Sequence, residues 1–470
     1  MPTRRAILAS AATGAAFIGA AAATDIAVAT TRDAGAPAPA ATDAKGRLLW
    51  ANWSGNQTAY PAARVAPASE DDLAATLRGG ATPLRVVGAG HSFTALVPTE
   101  GTLISLDGFT GITGHDDTAL TATIRTGTRL GALGPALAAI GQEMLTLPDI
   151  NKQALGGALG TATHGTGETL QAIHGCVRRL RLVSARGEVI EASPTQNADI
   201  FYAAVVGLGA FGVITEVTLQ NRKLTRIKKR VVAMPTRDAL EAWPALKKQH
   251  RNCELYIVPF TDMTAVITGD ASDEPVKPRG PDTDTDALMQ MKMLRDVFWA
   301  LPALRKFVGR KAFATLPPSE DIDDGWKLLS NERPVRFNEM EFHLPAEAQP
   351  AAALEVLAAV EKYRPDVFFP FELRAIAPDN AWLSPFHGRA SGSIAVHAYY
   401  KNEYRFLFDI VEPIFRRYGG RPHWGKLNSL GAADFASLYP RFKDAAALRK
   451  QLDPDGRLLN PYLRKVFGDV

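Results

Sequence analysis

Several short stretches carry side chains whose types and spacing allow chemistry. In Arg85–Thr94 (RVVGAGHSFT) two glycines, a histidine and two hydroxyls follow an apolar run. The backbone N–H groups of Val87, Gly88, Ala89 and Gly90 in such a loop form a nest for a diphosphate, with Ser92 and Thr94 as further donors. A tight turn bearing a surface histidine, His91, explains the same residues. The third glycine and following helix of the GxGxxG fingerprint are missing, which argues against a Rossmann domain. From Gly156 to Gly167 the chain reads GGALGTATHGTG, too rich in glycine and threonine for a helix interior or a long strand. Backbone is expected to approach a ligand closely there. Later, Glu372 and Arg374 stand two residues apart on an expected strand and share a face. Together they can grip vicinal hydroxyls, and the fixed cation can stabilise an anion. The plainer reading is an exposed ion pair worth under ~1 kcal/mol. His397, in SIAVHAYY, shares its face with Ala395 and Tyr399, and a lone strand histidine usually reads as structural. Lys426 closes RPHWGK and as a surface lysine signifies nothing. Glu339, Glu341 and His343 alternate along RFNEMEFHLP, a spacing open to a hydrolytic metal, a cavity wall or a structural polar face.

The elements that must hold these residues follow from length and pattern. A chain of 470 residues exceeds what one core usually serves, so two domains are expected. A net charge of +4, with Arg222–Arg230 the main basic run, argues against nucleic acid, and that run reads as a solvated strand or linker. Cys176 and Cys253 are the sole cysteines, too few for a disulfide framework or a four-ligand zinc site. The N-terminus, MPTRRAIL followed by an alanine-rich run, has signal-peptide anatomy with paired Arg4 and Arg5, as in twin-arginine export. That predicts a periplasmic or secreted protein with a signal over 1–30, a linker over 31–43 and no further membrane span. A helix is expected over 69–78 and strands over 84–87, 102–106 and 119–126. A second helix follows over 130–140, then a hairpin over 177–192 and a strand over 212–219. Beyond residue 225 the elements lengthen, with strands over 253–259, 335–344 and 393–400, a further strand starting at Phe371, and a helix over 351–363.

Taken in order, these stretches resemble the vanillyl-alcohol oxidase/p-cresol methylhydroxylase superfamily, and within it the aldonolactone oxidase and alditol oxidase branch. The resemblance rests on GAGHS, on LPDINKQALGGALGTATHGTG from Leu147, on GLGAFGVIT from Gly207, on FELR, on RPHWGK and on LDPDGRLLNPYLRKVFG near the end. It implies an α+β fold of two domains: an FAD-binding domain over 44–225, rejoined by 421–470, and an α+β substrate cap over 226–420. FAD is implied, joined covalently through His91, for which a neutral imidazole nitrogen is the nucleophile. Val87, Gly88, Ala89, Gly90, Ser92, Asn151, Gly157, Gly160, Thr161, Thr163, His164, Gly165, Gly212 and Ile214 are the implied cofactor contacts. Glu372, Arg374, His397 and Lys426 are the implied catalytic set, with His397 or Lys426 as base. The implied substrate is a sugar lactone or, as the alternative, an alditol oxidised with release of hydrogen peroxide. Oxygen or a cytochrome or quinone is the implied acceptor. Phe93 and WLSP lean toward the alditol enzymes, EMEF and VHAYY toward the lactone enzymes. Cys176 lies outside the position of a second flavin-linking cysteine and reads as a core thiol. A reading of another class is an exported sugar-binding flavoprotein without turnover.

Overall fold

The computed structural model describes residues 40–280, 284–331 and 333–468. The expected signal, and the linker as far as residue 39, lie outside them. Two β-rich units account for most of the chain, in an α+β arrangement. In the first, Ala63–Val65, Thr102–Ser105 and Leu84–Val87 form a small parallel sheet with Thr102–Ser105 in the middle. Helix Glu70–Gly79 precedes Leu84–Val87. Ser69 caps it by accepting from the Asp72 N–H, and Glu70, Asp71 and Asp72 lie against its positive end. A six-stranded antiparallel sheet orders Val189–Ala192, Val177–Val183, Val213–Lys223, Thr121–Arg125 and Ile112–Asp116, with Gln142–Met144 on the far end of Val213–Lys223. The expected hairpin is present, with Val189 opposite Val183.

The second unit is an eight-stranded sheet, the cap sheet, drawn mostly from the region expected to form the cap. Its order is Ser319–Asp324, Arg226–Pro235, Met263–Ala271, Asn252–Val258, Phe371–Ile376, Ser391–Tyr399, Phe337–Pro345 and Arg421–Pro422. Helices Thr236–Gln249 and Gln349–Tyr363 cover one face. Beneath them the Gln349 amide donates to the carbonyls of Arg374 (2.9 Å) and Ser393 (2.7 Å) and accepts from the Trp243 indole (2.8 Å). These bonds fix the two central strands relative to each other. After Pro422 the chain returns to the first unit: Phe93 N–H donates to the Gly425 carbonyl (2.7 Å) and Leu84 N–H to that of Arg457 (2.8 Å).

Two local expectations are corrected. Leu155–Gly160, within the stretch read as neither helix nor strand, is a short helix. Burial of Leu155, Ala158 and Leu159 on one side outweighs the poor propensity of its glycines. The basic run is less solvated than expected, because Arg222 pairs with buried Glu143 at 2.6 Å and the Lys229 ammonium donates to the Leu328 carbonyl at 3.2 Å. Helices Asp284–Phe298 and Pro302–Ala314 occupy a region for which the sequence reading proposed no element.

Candidate active site

The loop that follows strand Leu84–Val87 is pinned from several sides. Trp53 N–H donates to the Gly90 carbonyl (2.8 Å), the Asn52 amide to that of Ser92 (2.9 Å) and the Thr94 hydroxyl to that of Trp424 (2.8 Å). Gly90 has φ +67°, a conformation that glycine adopts without strain. Below it, Arg85 is buried and spends its guanidinium on the carbonyls of Leu96, Leu208, Gly209 and Leu458. The loop walls a large cavity that is partly open to solvent. Gly157 and Gly160 also line it, and this is where the glycines matter. A Cβ built at Gly157 meets nothing within 4 Å, and one at Gly160 meets only the Leu208 nitrogen at 3.8 Å. The cavity is therefore a cradle that side chains would fill, as a bound dinucleotide requires.

The cavity is lined by Val87, Gly88, Ala89, Gly90, His91, Ser92, Gly157, Gly160, Thr161, Gly212 and Ile214 of the expected cofactor residues. Asn151, Thr163, His164 and Gly165 do not line it. Asn151 offers its carbonyl to the Gly131 N–H, and the Thr163 hydroxyl turns to those of Thr161 and the Gln153 amide at 3.4 Å. Gly165 is packed so that a Cβ would come within 2.3 Å of the Leu147 carbonyl. His164 points instead into the cap sheet. The His91 ring stacks on Trp53, centroids 5.0 Å apart. Burial, helped by Lys426, Arg129 and Lys152, pushes it down to about 4, so the imidazole is neutral at pH 7.

On the cap sheet, register places the polar residues on one face. Glu339 opposes His397, Glu341 and Glu372 both oppose Ala395, and His343 and Arg374 both oppose Ser393. The alternate residues Met340, Phe342, Leu373, Ile394 and Val396 are buried on the apolar face. Arg374 bridges Glu372 at 2.6 Å and Glu254 at 3.0 Å. Burial opposes that charge, yet the two carboxylates hold the guanidinium well above its ordinary value. Lys426 Nζ bonds to Glu339 Oε2 and lies 3.9 Å from Glu341 Oε2 and 5.3 Å from the Phe93 ring centre. Lys426 also lines the cavity, so the polar face and the cradle meet at its ammonium. His397 Nε2 lies 3.7 Å from Glu339 and 3.9 Å from Glu372. The four expected catalytic residues are thus linked by contacts of hydrogen-bond or ion-pair length. Burial, with Glu341 and Glu372 close by, raises the Glu339 carboxyl against the pull of Lys426 and His397. Burial also opposes ionisation of Glu341, but His164, His423 and Lys426 hold it well below the usual carboxylate range.

His164, Glu341 and His423 have potential ligand atoms within 4.8 Å of one another. Their protons point to a hydrogen-bonded cluster. His164 Nδ1 donates to the Gly165 carbonyl (2.8 Å), and Glu341 Oε1 is taken by His164 Nε2 (2.8 Å) and the Ser393 hydroxyl. His423 Nδ1 accepts from the Gly425 N–H (3.0 Å). Burial pushes His423 down to about 3, so the neutral ring keeps its proton on Nε2 and has no free lone pair for a cation. His343 is buried and held neutral by desolvation. Cys176 is buried, its thiol pushed up to about 11 by desolvation, as for a core thiol.

Sequence reasoning missed Trp53, Glu254, and the pair Asp149–Arg333 at 2.9 Å. Glu254 had one available signal: it alternates with Tyr256 on the expected strand over 253–259. Its register opposite Arg374 joins positions 120 residues apart, which no local pattern encodes.

Comparison with known proteins agrees with this geometry. Residues 61–193, which include the His91 loop and the glycine cradle, match the FAD binding domain, and residues 217–466 match the D-arabinono-1,4-lactone oxidase family. L-gulono-1,4-lactone dehydrogenase of Mycobacterium tuberculosis is 34% identical over 89% of this chain and 99% of its own. L-gulonolactone oxidase of Bos taurus is 28% identical over 88% of this chain and 97% of its own. Alditol oxidase of a Streptomyces species is 29% identical over 88% and 98%. Among solved structures, cholesterol oxidase from B. sterolicum superposes with a TM-score of 0.71 over 92% of this chain and 100% of its own at 16% identity, which supports the two-domain flavoprotein fold alone. With a family match over more than half its length, the chain belongs to the D-arabinono-1,4-lactone oxidase family and carries an FAD binding domain.

Proposed function

We propose that the protein is an FAD-dependent oxidoreductase that oxidises a CH–OH carbon of a sugar-derived aldono-1,4-lactone of the gulono, galactono or arabinono type. The observation that carries this reading is the meeting, at Lys426, of the Glu372–Arg374–His397 face with the glycine-lined cradle. Bound in the cradle, the flavin supplies a hydride acceptor. The loop Val87–Ser92, Gly157, Gly160, Thr161, Gly212 and Ile214 would hold it, and the neutral imidazole of His91 suits a covalent link. Glu372 and Arg374 present a carboxylate and a fixed guanidinium side by side, a pairing that grips adjacent hydroxyls of a sugar ring. Lys426 offers a cation to an oxygen that gains charge as its proton leaves. His397 and Lys426 are the candidates to take that proton.

A second reading, oxidation of an alditol with release of hydrogen peroxide, is favoured by the 29% identity to the Streptomyces alditol oxidase and by Phe93 under the Lys426 ammonium. One experiment separates them. The flavin of the purified protein is followed under anaerobic conditions with L-gulono-1,4-lactone, D-arabinono-1,4-lactone and xylitol in turn, and air is then readmitted. Bleaching by a lactone supports the first reading, and bleaching by xylitol alone supports the second. A flavin bleached by neither overturns both and favours a sugar-binding flavoprotein. Return of colour in air with peroxide identifies oxygen as the acceptor, and failure to return identifies a cytochrome or quinone type. Export by the twin-arginine route to the periplasm or beyond is part of the same proposal. Replacing Arg4 and Arg5 by lysine should trap the protein inside the cell, and unchanged export would refute it.

A further inference from the structure

The polar face of the cap sheet pairs its carboxylates with particular hydrogen-bond and ion-pair partners. Glu372 takes Arg374 at 2.6 Å, Glu341 takes His164 at 2.8 Å, and Glu339 takes Lys426 in a short contact. His397 is left facing the remaining oxygens, with Nε2 3.7 Å from Glu339 Oε1 and 3.9 Å from Glu372 Oε1. Its other nitrogen is committed. Nδ1 is 3.1 Å from the Pro370 carbonyl, which only accepts, so Nδ1 must carry the hydrogen. In the neutral ring the lone pair is therefore on Nε2. Phe337, edge-on at 4.8 Å, and Phe369, stacked at 5.8 Å, cover the ring. The charged groups that face it are thus Glu339 and Glu372, with Lys426 and Arg374 behind them.

We propose that Glu339 is a positioning residue that settles which of the two candidate bases acts: it keeps Lys426 an ammonium that only donates hydrogen bonds, and so leaves Nε2 of His397 to take the substrate's hydroxyl proton. This rests on the function proposed above and goes beyond it in assigning the base. Lys426 is the nearest cation to Glu339, which is 4% exposed, so a lysine that gave up its proton here would take from a buried carboxylate its closest partner, which is unfavourable. His397 carries no such obligation. The balance is simple: the hydroxyl O–H bond breaks as an Nε2–H bond forms, and the carbon gives up hydride with its electron pair to the bound flavin. The imidazolium that results faces Glu339 and Glu372, which stabilise it.

The test compares FAD-loaded wild type, Glu339→Gln and Glu339→Asp by two readouts. In the first, Lys426 is acetylated with acetic anhydride across a pH series and its peptide is quantified by mass spectrometry. Loss of the carboxylate should move half-maximal labelling to lower pH by about one unit or more. Glu339→Asp, with a shorter reach, should give an intermediate shift, and it carries the test if the glutamine variant does not fold. Identical labelling curves overturn the proposal. In the second readout, the alkaline fall of kcat/KM should begin about one pH unit earlier in Glu339→Gln. A loss of the same factor at every pH, as a purely structural role would give, overturns it. His397→Asn should lower kcat at least ~100-fold while Lys426→Met acts mainly on KM, and the reverse pattern overturns the assignment of the base. If the wild type oxidises neither lactone nor polyol, the proposed function fails, while the acetylation curves still judge Glu339.

Discussion

A single added methyl group at Gly157 tests whether the cradle is the cofactor site. In the free protein a Cβ at this position touches nothing within 4 Å, and the residue lies within helix Leu155–Gly160. Gly157→Ala therefore relieves backbone entropy at no steric cost and should stabilise the flavin-free protein by about 0.5–1 kcal/mol. The same methyl projects into the space a flavin nucleotide would fill, and forcing an extra methylene into a packed site costs roughly 1–3 kcal/mol. At 1.4 kcal/mol per tenfold, FAD should bind about 5- to 150-fold more weakly. The assay is titration of flavin-free protein with FAD, followed by quenching of flavin fluorescence, in a His91→Ala background so that a covalent link cannot mask the equilibrium. Urea unfolding of the same samples gives the stability change. Gly165→Ala is the contrasting case: its Cβ would come within 2.3 Å of the Leu147 carbonyl and 2.7 Å of the Thr146 hydroxyl, so it should destabilise the fold outright. Unchanged FAD affinity in Gly157→Ala, with folding intact, would refute the placement of the cofactor.

Other consequences are as direct. His91→Ala should leave the fold intact but release flavin into the supernatant on acid precipitation, and flavin that stays with the variant polypeptide would refute the covalent link at this residue. Arg374→Met removes the buried cation from two half-buried carboxylates, Glu254 and Glu372, and should lower unfolding free energy by more than ~1 kcal/mol but less than the ~3–5 kcal/mol of a fully buried pair; a loss under ~1 kcal/mol, as for an exposed pair, would contradict the burial described here. His423 has its folded value depressed from 6.5 to about 3 by burial, and His91 from 6.5 to about 4. The unfolded chain therefore binds their protons first as pH falls. The stability they contribute is complete above about pH 6.5 and is lost below it at about 1.4 kcal/mol per pH unit for each ring, before any discount for solvent near His91. Urea unfolding at pH 7.5 and pH 5 should show this slope, and His423→Asn should flatten it.

Local chemistry was legible in the sequence, and long-range pairing was not. The cavity-lining loop at 87–92 and the Glu372–Arg374 face follow from adjacent residues and strand alternation: the loop lines the cavity, and the two side chains meet on one face. The helix at Leu155–Gly160 was misread because propensity counts its glycines against it, whereas Leu155, Ala158 and Leu159 bury fully at helical spacing once the surrounding core exists. The second carboxylate on Arg374, Glu254, depends on strand order within an eight-stranded sheet, and order is a global property of the chain.

His164 shows most clearly why motif membership and contact with a ligand are separate questions. It lies among the glycines and threonines of the cradle segment, and on that ground it was expected to touch the cofactor. A segment that lines a cavity has two sides, however, and a side chain on the far side meets whatever packs behind. For His164 that is Glu341 of the cap sheet, bonded at 2.8 Å with both partners nearly inaccessible to water. Glu341 in turn lies 3.9 Å from Lys426, which reaches the cavity from a third segment. The histidine therefore ties the cofactor-side backbone to the sheet that carries the catalytic candidates, and it does so through the carboxylate nearest Glu339 on the same strand.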